Sequence, residues 1–150
     1  QLKERLCGAE ILSWIDSVPQ AGDSLTNVAG RIENSWRAWR NNNLNGKIIA
    51  TIGVGVDGHI AVIMPNIDPK IFGNKWVAGY DAGQANKFPL RITATFEFLR
   101  SHVDFAIVYI SGEEKRRALE RVLADSGSLA ETPARILGEM KNAKIFTDIS

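Results

Sequence analysis

The chain has 150 residues, of which 45% are hydrophobic and 23% are charged, and its formal net charge is only +1. This composition predicts one soluble domain with a hydrophobic core, and because basic and acidic residues are intermixed, a nucleic-acid partner is not expected. Cys7 is the only cysteine, which excludes an internal disulfide and a thiolate zinc cluster, and since we find neither a signal peptide nor an apolar run of membrane-spanning length, we expect a cytoplasmic protein with no membrane partner.

Two helices are predicted before the first strand. From Leu2 to Val18, apolar residues recur at helical spacing, and Pro19 closes the segment. A second helix is predicted to begin after Ser24, which can cap it, and to continue to Trp39. The asparagine-rich segment from Asn41 to Gly46 then predicts a turn.

Apolar runs predict the strands. The run from Lys47 to Ile52 predicts a strand that is buried on both faces of a sheet. Trp76 to Tyr80 and Arg91 to Thr95 are predicted to be extended, and Phe105 to Ile110 is predicted to be a further strand.

Helices are predicted to alternate with these strands. Thr95 to His102 is expected to be helical, as is Glu113 to Leu123, whose sheet-facing residues are predicted to be Leu119, Val122 and Leu123. The alternation predicts the α/β class, with a three-layer α/β/α sandwich and a mostly parallel, Rossmann-like sheet. No repeat or linker divides the sequence, so residues 1–150 are predicted to form a single α/β domain.

The most informative segment is Gly53 to Pro65, GVGVDGHIAVIMP, which follows the first predicted strand. It brings Asp57 and His59 into a loop at the carboxyl end of a strand, where open α/β sheets bind ligands. Gly55 permits a tight exit from the strand, and Gly58 permits close approach to a small ligand. The glycine spacing is close to the dinucleotide-binding fingerprint, but no helix is predicted to open on the third glycine, so that function is not favoured.

The order Gly-x-Gly-x-Asp-Gly-His, followed by a small apolar run and a proline, resembles the signature of the 6-phosphogluconolactonase and glucosamine-6-phosphate deaminase superfamily. Three later segments resemble the same superfamily in the same order, and the resemblance covers the chain from about Ala29 onward. Several ordered motifs are more specific than one. These segments are Pro89 to Thr95, Ser111 to Lys115, and Leu129 to Leu137 leading into Lys144 to Asp148.

The resemblance implies a role for the polar residues of the first motif. His59 would be the general base that activates water against a lactone carbonyl, because imidazole can exchange protons near neutral pH. Asp57 would orient or stabilise the imidazole or contact the sugar hydroxyls, and Gly55 and Gly58 would lie against the substrate. The resemblance implies no metal and no cofactor.

Two cations are candidates for binding the substrate phosphate. Lys115 lies near the start of a predicted helix, where free amides and the helix dipole favour an anion. Arg91 is a second and weaker candidate. Each has an alternative interpretation, because Lys115 can be an ordinary solvated helix residue and Arg91 can belong to a surface ion pair.

The residue five positions after His59 bears on the reaction. Deaminases of this superfamily typically carry a glutamate there, whereas this chain has Met64, whose thioether cannot transfer a proton. The resemblance is therefore closer to the lactonases and implies hydrolysis of 6-phosphogluconolactone to 6-phosphogluconate in the pentose phosphate pathway. Ile60-Ala61 resembles the deaminase version instead, so a divergent branch that acts on another phosphosugar stays open. A glucosamine-6-phosphate deaminase or isomerase activity and a non-catalytic phosphosugar-binding module stay open as well.

The resemblance also implies a longer domain. Members of the superfamily have a first strand and a glycine- and serine-rich loop at the amino end, which help to hold the sugar phosphate, and neither pattern occurs upstream of Lys47. We therefore expect the chain to be the carboxyl-terminal part of a longer domain or a naturally shortened relative. A small-molecule phosphosugar is the expected partner, and a homo-oligomer stays open.

Overall fold

The computed structural model describes residues 17–150, so the helix predicted from Leu2 lies almost entirely outside the described residues. The described elements alternate between helix and strand. In chain order they are α1 (Leu25–Asn42), β1 (Ile49–Gly53), β2 (Val77–Asp81), β3 (Leu90–Ala94), α2 (Phe96–His102), β4 (Phe105–Ile110), α3 (Arg116–Leu123) and β5 (Ala143–Thr147), with short 3₁₀ helices at Pro69–Phe72, Glu113–Lys115 and Pro133–Glu139.

Three of the strands form a parallel sheet in the order β1-β4-β5. The central strand β4 has the bounds predicted from its apolar run, and Ala106, Val108 and Ile110 on its buried face are fully covered. The predicted α/β class with a mostly parallel sheet is therefore confirmed. Because β1 and β4 are parallel neighbours, with Gly53 opposite Tyr109, the segments that follow them leave the sheet at the same edge.

The prediction that β1 is buried on both faces is wrong for the described residues. Ile52 is buried, but Thr51 is exposed and Ile49 is 65% exposed. The exposure of β1 follows from its position in the sheet. Within residues 17–150, β1 is an edge strand that pairs only with β4. An edge strand covered on one side leaves part of its apolar surface open.

The two segments predicted as extended pair with each other rather than with the parallel sheet. β2 and β3 form an antiparallel two-stranded sheet in which Tyr80 lies opposite Arg91 and Ala78 lies opposite Thr93. Residues two apart on one strand share a face. Tyr80, Arg91 and Thr93 therefore project from the same face of this hairpin.

Helices α1 and α2 begin within one residue of their predicted starts. Ser24 caps α1 by accepting a hydrogen bond from the Asn27 amide, as predicted, although α1 continues to Asn42 and so includes part of the predicted turn. Thr95 caps α2 in the same way. None of the helices within residues 17–150 is both long and apolar enough to cross a membrane.

The prediction of which α3 residues face the sheet is partly wrong. Ala118 is fully buried, and Leu119 and Val122 pack against the core as expected. Leu123, which was expected to face the sheet, is instead 65% exposed. It is the last residue of the helix, and Ala124 already has extended backbone angles.

The buried end of β4 allows a test of how the fold is stabilised. Ile110→Ala should lower the free energy of unfolding by about 2–5 kcal/mol, because it removes buried methyl groups and leaves a cavity. Ile49→Ala, on the exposed side of β1, is the matched control and should cost less than about 1 kcal/mol. Urea denaturation measures both values, and equal losses would contradict this description of the core.

Candidate active site

A closed loop between β1 and Pro65 carries the predicted catalytic residues. After Gly53 ends β1, Val54 pairs with Ile60, and the Gly55 amide donates to the His59 carbonyl at 3.0 Å. The Gly58 amide donates in turn to the Gly55 carbonyl at 3.0 Å. These bonds fold the chain back on itself, so that residues 55–59 form a compact turn at the carboxyl end of β1.

Asp57 and His59 are in direct contact within this turn. The Asp57 Oδ1 atom lies 2.7 Å from His59 Nδ1 and accepts a second hydrogen bond from the His59 amide at 3.0 Å. An ionised carboxylate can only accept hydrogen bonds, so Nδ1 carries the proton and the lone pair of a neutral ring is on Nε2. The arrangement is that of a general base oriented by an acid.

The carboxylate form of Asp57 is favoured by its neighbours. Burial is the largest single influence and raises the pKa of Asp57, but the hydrogen bonds from the His59 amide and ring, together with the charge of a protonated ring, outweigh it and leave the pKa below its ordinary value. Both side chains are partly open, with 38% of His59 and 40% of Asp57 exposed. The pair is therefore accessible to a ligand.

Two glycines make room for this pair. A Cβ atom at position 55 would lie 2.2 Å from both Nδ1 and Cε1 of His59, so the imidazole fills the space that any side chain at Gly55 would need. Gly58 has a φ of +88°, and a Cβ there would lie 2.9 Å from Thr132 Cγ2. The structure thus gives both glycines a role in the shape of the loop, and their predicted contact with a substrate stays a prediction.

His59 lines a cleft of about 700 Å³. Ala61 and Val62 line the same cleft, and so do Trp36 and Trp39 of α1, which the sequence placed in the second predicted helix without a functional role. The signal available in the sequence was the helical spacing of these residues, which does not separate a core face from a cleft wall. The walls near His59 are mainly apolar, so they offer a ligand few charged groups.

Arg91 lies beside the segment that follows His59. It shares a hairpin face with Thr93, whose hydroxyl contacts the Ala61 carbonyl, and with Tyr80, whose hydroxyl bonds to the backbone at Val62. Among residues 17–150, Arg91 Nε is the one buried side-chain nitrogen or oxygen without a hydrogen-bond partner. A buried donor left unpaired is unfavourable, which makes it available to an acceptor brought by a ligand.

Lys115 is at the same edge of the sheet. It ends the 3₁₀ helix that follows β4, and its amide donates to the Gly112 carbonyl at 3.0 Å. Within the described part of the chain its side chain forms no ion pair, whereas the neighbouring Glu113 and Arg116 pair with each other. The structure therefore brings Asp57 and His59 together and places Lys115 at the same edge, without a hydrogen bond to either.

Over residues 17–150, no group of three or more His, Cys, Asp or Glu side chains is arranged to hold a metal ion.

Comparisons with known proteins agree on a family. Residues 10–147 match the family described as glucosamine-6-phosphate isomerases/6-phosphogluconolactonase. A 6-phosphogluconolactonase from Borreliella burgdorferi is 36% identical over 100 residues, which make up 65% of this chain and 41% of that protein. The chain thus spans well under two thirds of the length of this curated relative.

Solved structures show the same fold. The 6-phosphogluconolactonase from Trypanosoma brucei matches with a TM-score of 0.63 at 21% identity, covering 87% of this chain and 55% of that chain. A monomeric glucosamine-6-phosphate deaminase matches with a TM-score of 0.62 at 22% identity, covering 85% of this chain and 54% of that chain. The fold is similar to that of a lactonase and to that of a deaminase, so it does not distinguish these two activities.

The contact between Asp57 and His59 predicts a linked titration. His59→Ala removes the ring hydrogen bond, so the pKa of Asp57 should rise, although the amide hydrogen bond remains. Because the pKa of Asp57 is lowered in the folded chain, its carboxylate stabilises the fold above the unfolded pKa of about 3.9, and that contribution is lost as the pH falls through the folded value. Carboxyl ¹³C NMR of the parent and the variant measures the shift, and identical Asp57 titrations would contradict the contact.

Proposed function

The chain belongs to the family of glucosamine-6-phosphate isomerases and 6-phosphogluconolactonases, and we propose that it supplies the general base of a lactonase that hydrolyses 6-phosphogluconolactone to 6-phosphogluconate. The observation that carries this proposal is the 2.7 Å contact between Asp57 Oδ1 and His59 Nδ1 at the carboxyl end of β1. Lactone hydrolysis needs a base for water, and this pair is built to provide one.

The proposed reaction uses His59 twice. Nε2 takes a proton from a water molecule as the water oxygen bonds to the lactone carbonyl carbon. The tetrahedral intermediate then collapses, the bond from that carbon to the ring oxygen breaks, and the ring oxygen receives the proton from the imidazolium. Asp57 stabilises the imidazolium between these steps, because it is an ionised acceptor on the opposite ring nitrogen.

Phosphate recognition is assigned to Arg91 and Lys115. The unpartnered Arg91 Nε beside the loop and the unpaired Lys115 at the same edge of the sheet are both suited to an anion. Since 6-phosphogluconolactone carries its phosphate at one end and its lactone carbonyl at the other, cations that lie apart from the base fit this substrate.

The proposed substrate also bears on location. It is a phosphorylated metabolite, which does not cross membranes freely, and this supports a cytoplasmic location.

Met64 favours the lactonase over the deaminase. Its amide is held by the Tyr80 hydroxyl at 3.0 Å, and its thioether can neither donate nor accept a proton in catalysis. The relative that is 36% identical is also named a 6-phosphogluconolactonase. Ring opening and deamination would need a second proton-transfer group that this position does not supply.

Removing the proposed base should abolish most of the activity. His59→Ala should lower the rate of 6-phosphogluconolactone hydrolysis, measured above the spontaneous rate, by about 10²–10⁴-fold, which is typical for the loss of a general base. Asp57→Asn should give a smaller loss in the same direction. Both variants should keep the circular dichroism spectrum of the parent.

The matched control is His102→Ala, because His102 is the other histidine of the chain and packs against Trp76, with ring centroids 4.0 Å apart, rather than lining the cleft. Its folded fraction should hydrolyse the lactone at the parental rate. A parent protein that does not exceed the blank, or a His59→Ala variant as active as the parent, would overturn the assignment. Release of ammonia from glucosamine 6-phosphate would instead favour the deaminase.

The two cations should act on binding rather than on the chemical step. Arg91→Gln and Lys115→Gln should each raise the KM for 6-phosphogluconolactone about 10-fold or more, the scale of one charge-assisted hydrogen bond. The KM for unphosphorylated gluconolactone should stay unchanged. Lys70→Gln, on an exposed 3₁₀ helix, is the control, and equal losses with both lactones would contradict phosphate binding by Arg91 and Lys115.

A further inference from the structure

The backbone directly after His59 has an unusual conformation. Ala61 and Val62 are consecutive residues with positive φ, at 47° and 68°. This left-handed region favours glycine and is rarely adopted by a β-branched residue such as valine. Nothing in the local sequence prefers this conformation, so other contacts have to maintain it.

The hairpin formed by β2 and β3 provides those contacts. The Tyr80 hydroxyl donates to the Val62 carbonyl at 2.6 Å and accepts from the Met64 amide at 3.0 Å. The Thr93 hydroxyl contacts the Ala61 carbonyl. One tyrosine hydroxyl thus bridges a carbonyl of the left-handed segment and an amide just after it, and so uses both its donor and its acceptor capacity.

Tyr80 is itself held firmly. It is only 6% exposed, and its ring makes an edge contact with Phe72 at a centroid distance of 5.4 Å. Burial raises the pKa of Tyr80 most, although the Met64 amide and the Arg91 charge oppose it, so the hydroxyl keeps its proton and remains a donor. Its position is therefore fixed by packing that is independent of the loop.

The left-handed segment is tied to His59 through the backbone. The Ile63 amide donates to the Ile60 carbonyl at 2.7 Å, which closes a tight turn around Ala61 and Val62. Ile60 also pairs with Val54 and is fully buried. A change in this turn would be transmitted to His59, the residue that precedes Ile60.

We propose that Tyr80 is a positioning residue for His59, because its hydroxyl keeps the turn after His59 in its left-handed conformation and so fixes the imidazole in the cleft. This inference rests on the proposed lactonase function and extends it to a residue that, among residues 17–150, bonds to the backbone of Val62 and Met64 rather than to Asp57 or His59. A positioning error near 1 Å is enough to cost a large factor in rate.

The test separates the tyrosine hydroxyl from the tyrosine ring. Tyr80→Phe keeps the packing against Phe72 and removes both hydrogen bonds to the turn. It should lower kcat by about 10- to 100-fold and leave KM within about 2-fold, because within residues 17–150 the Tyr80 hydroxyl bonds to Val62 and Met64 and not to Arg91 or Lys115. Tyr109→Phe is the matched control, since Tyr109 is the other tyrosine, is 56% exposed on β4 and stacks on Phe146 with ring centroids 5.7 Å apart; its kcat should equal that of the parent.

A readout that does not depend on activity keeps this test distinct from the test of the lactonase. Ring ¹⁵N NMR should show His59 with its proton on Nδ1 in the parent, and in Tyr80→Phe a mixture of tautomers or a broadened signal. A folded Tyr80→Phe variant with the parental kcat and the parental His59 signals would overturn the inference. An inactive parent with a His59 signal that responds to Tyr80→Phe would reject the lactonase and retain the positioning role.

Discussion

The absence of a side chain at Gly55 is the constraint on which the rest of the site depends, because the His59 ring needs that space. The His59 ring occupies the volume in which a side chain at position 55 would lie, with Nδ1 and Cε1 both 2.2 Å from the position of a Cβ atom there. This close approach lets the ring reach the Asp57 carboxylate while the Gly55 amide still bonds to the His59 carbonyl. The Asp57 carboxylate and the His59 ring are thereby placed within five consecutive residues, instead of being gathered from distant elements.

Three separate parts of the fold keep this short loop in place. The parallel pairing of β1 with β4 fixes where the loop begins. The Gly58 carbonyl accepts a hydrogen bond from the Ala134 amide at 3.0 Å, which joins the tip of the loop to the 3₁₀ helix at Pro133–Glu139. Tyr80 of the β2–β3 hairpin bonds to the backbone of Val62 and Met64, which follow the loop. A loop whose backbone polar groups are bonded on three sides is pre-organised, and pre-organisation is what a general base requires.

Sequence patterns predicted the parts of this structure that depend on local chemistry. Phe105 to Ile110 was predicted with its observed bounds, because a continuous apolar run is typical of a central parallel strand. Lys47 to Ile52 has the same pattern, but in the described part of the chain its strand lies at the edge of the sheet, since burial depends on neighbours that the run itself does not specify. The spacing of Asp57 and His59 indicated the pair, but the glycine between them left its geometry open. Tyr80 was missed, because an isolated tyrosine in a strand resembles an ordinary core residue.

The proposed base and the proposed phosphate ligands lie on different parts of the molecule. The pair of Asp57 and His59 is complete within one loop, whereas the two candidate cations, Arg91 and Lys115, come from β3 and from the segment after β4. The cleft beside His59 has mainly apolar walls, so it contributes little electrostatic attraction for an anion. Substrate affinity and proton transfer can therefore vary independently on this fold. Under the proposed function, replacing a single neighbour such as Met64 would change the available proton chemistry without altering the contact between Asp57 and His59 or the two candidate cations.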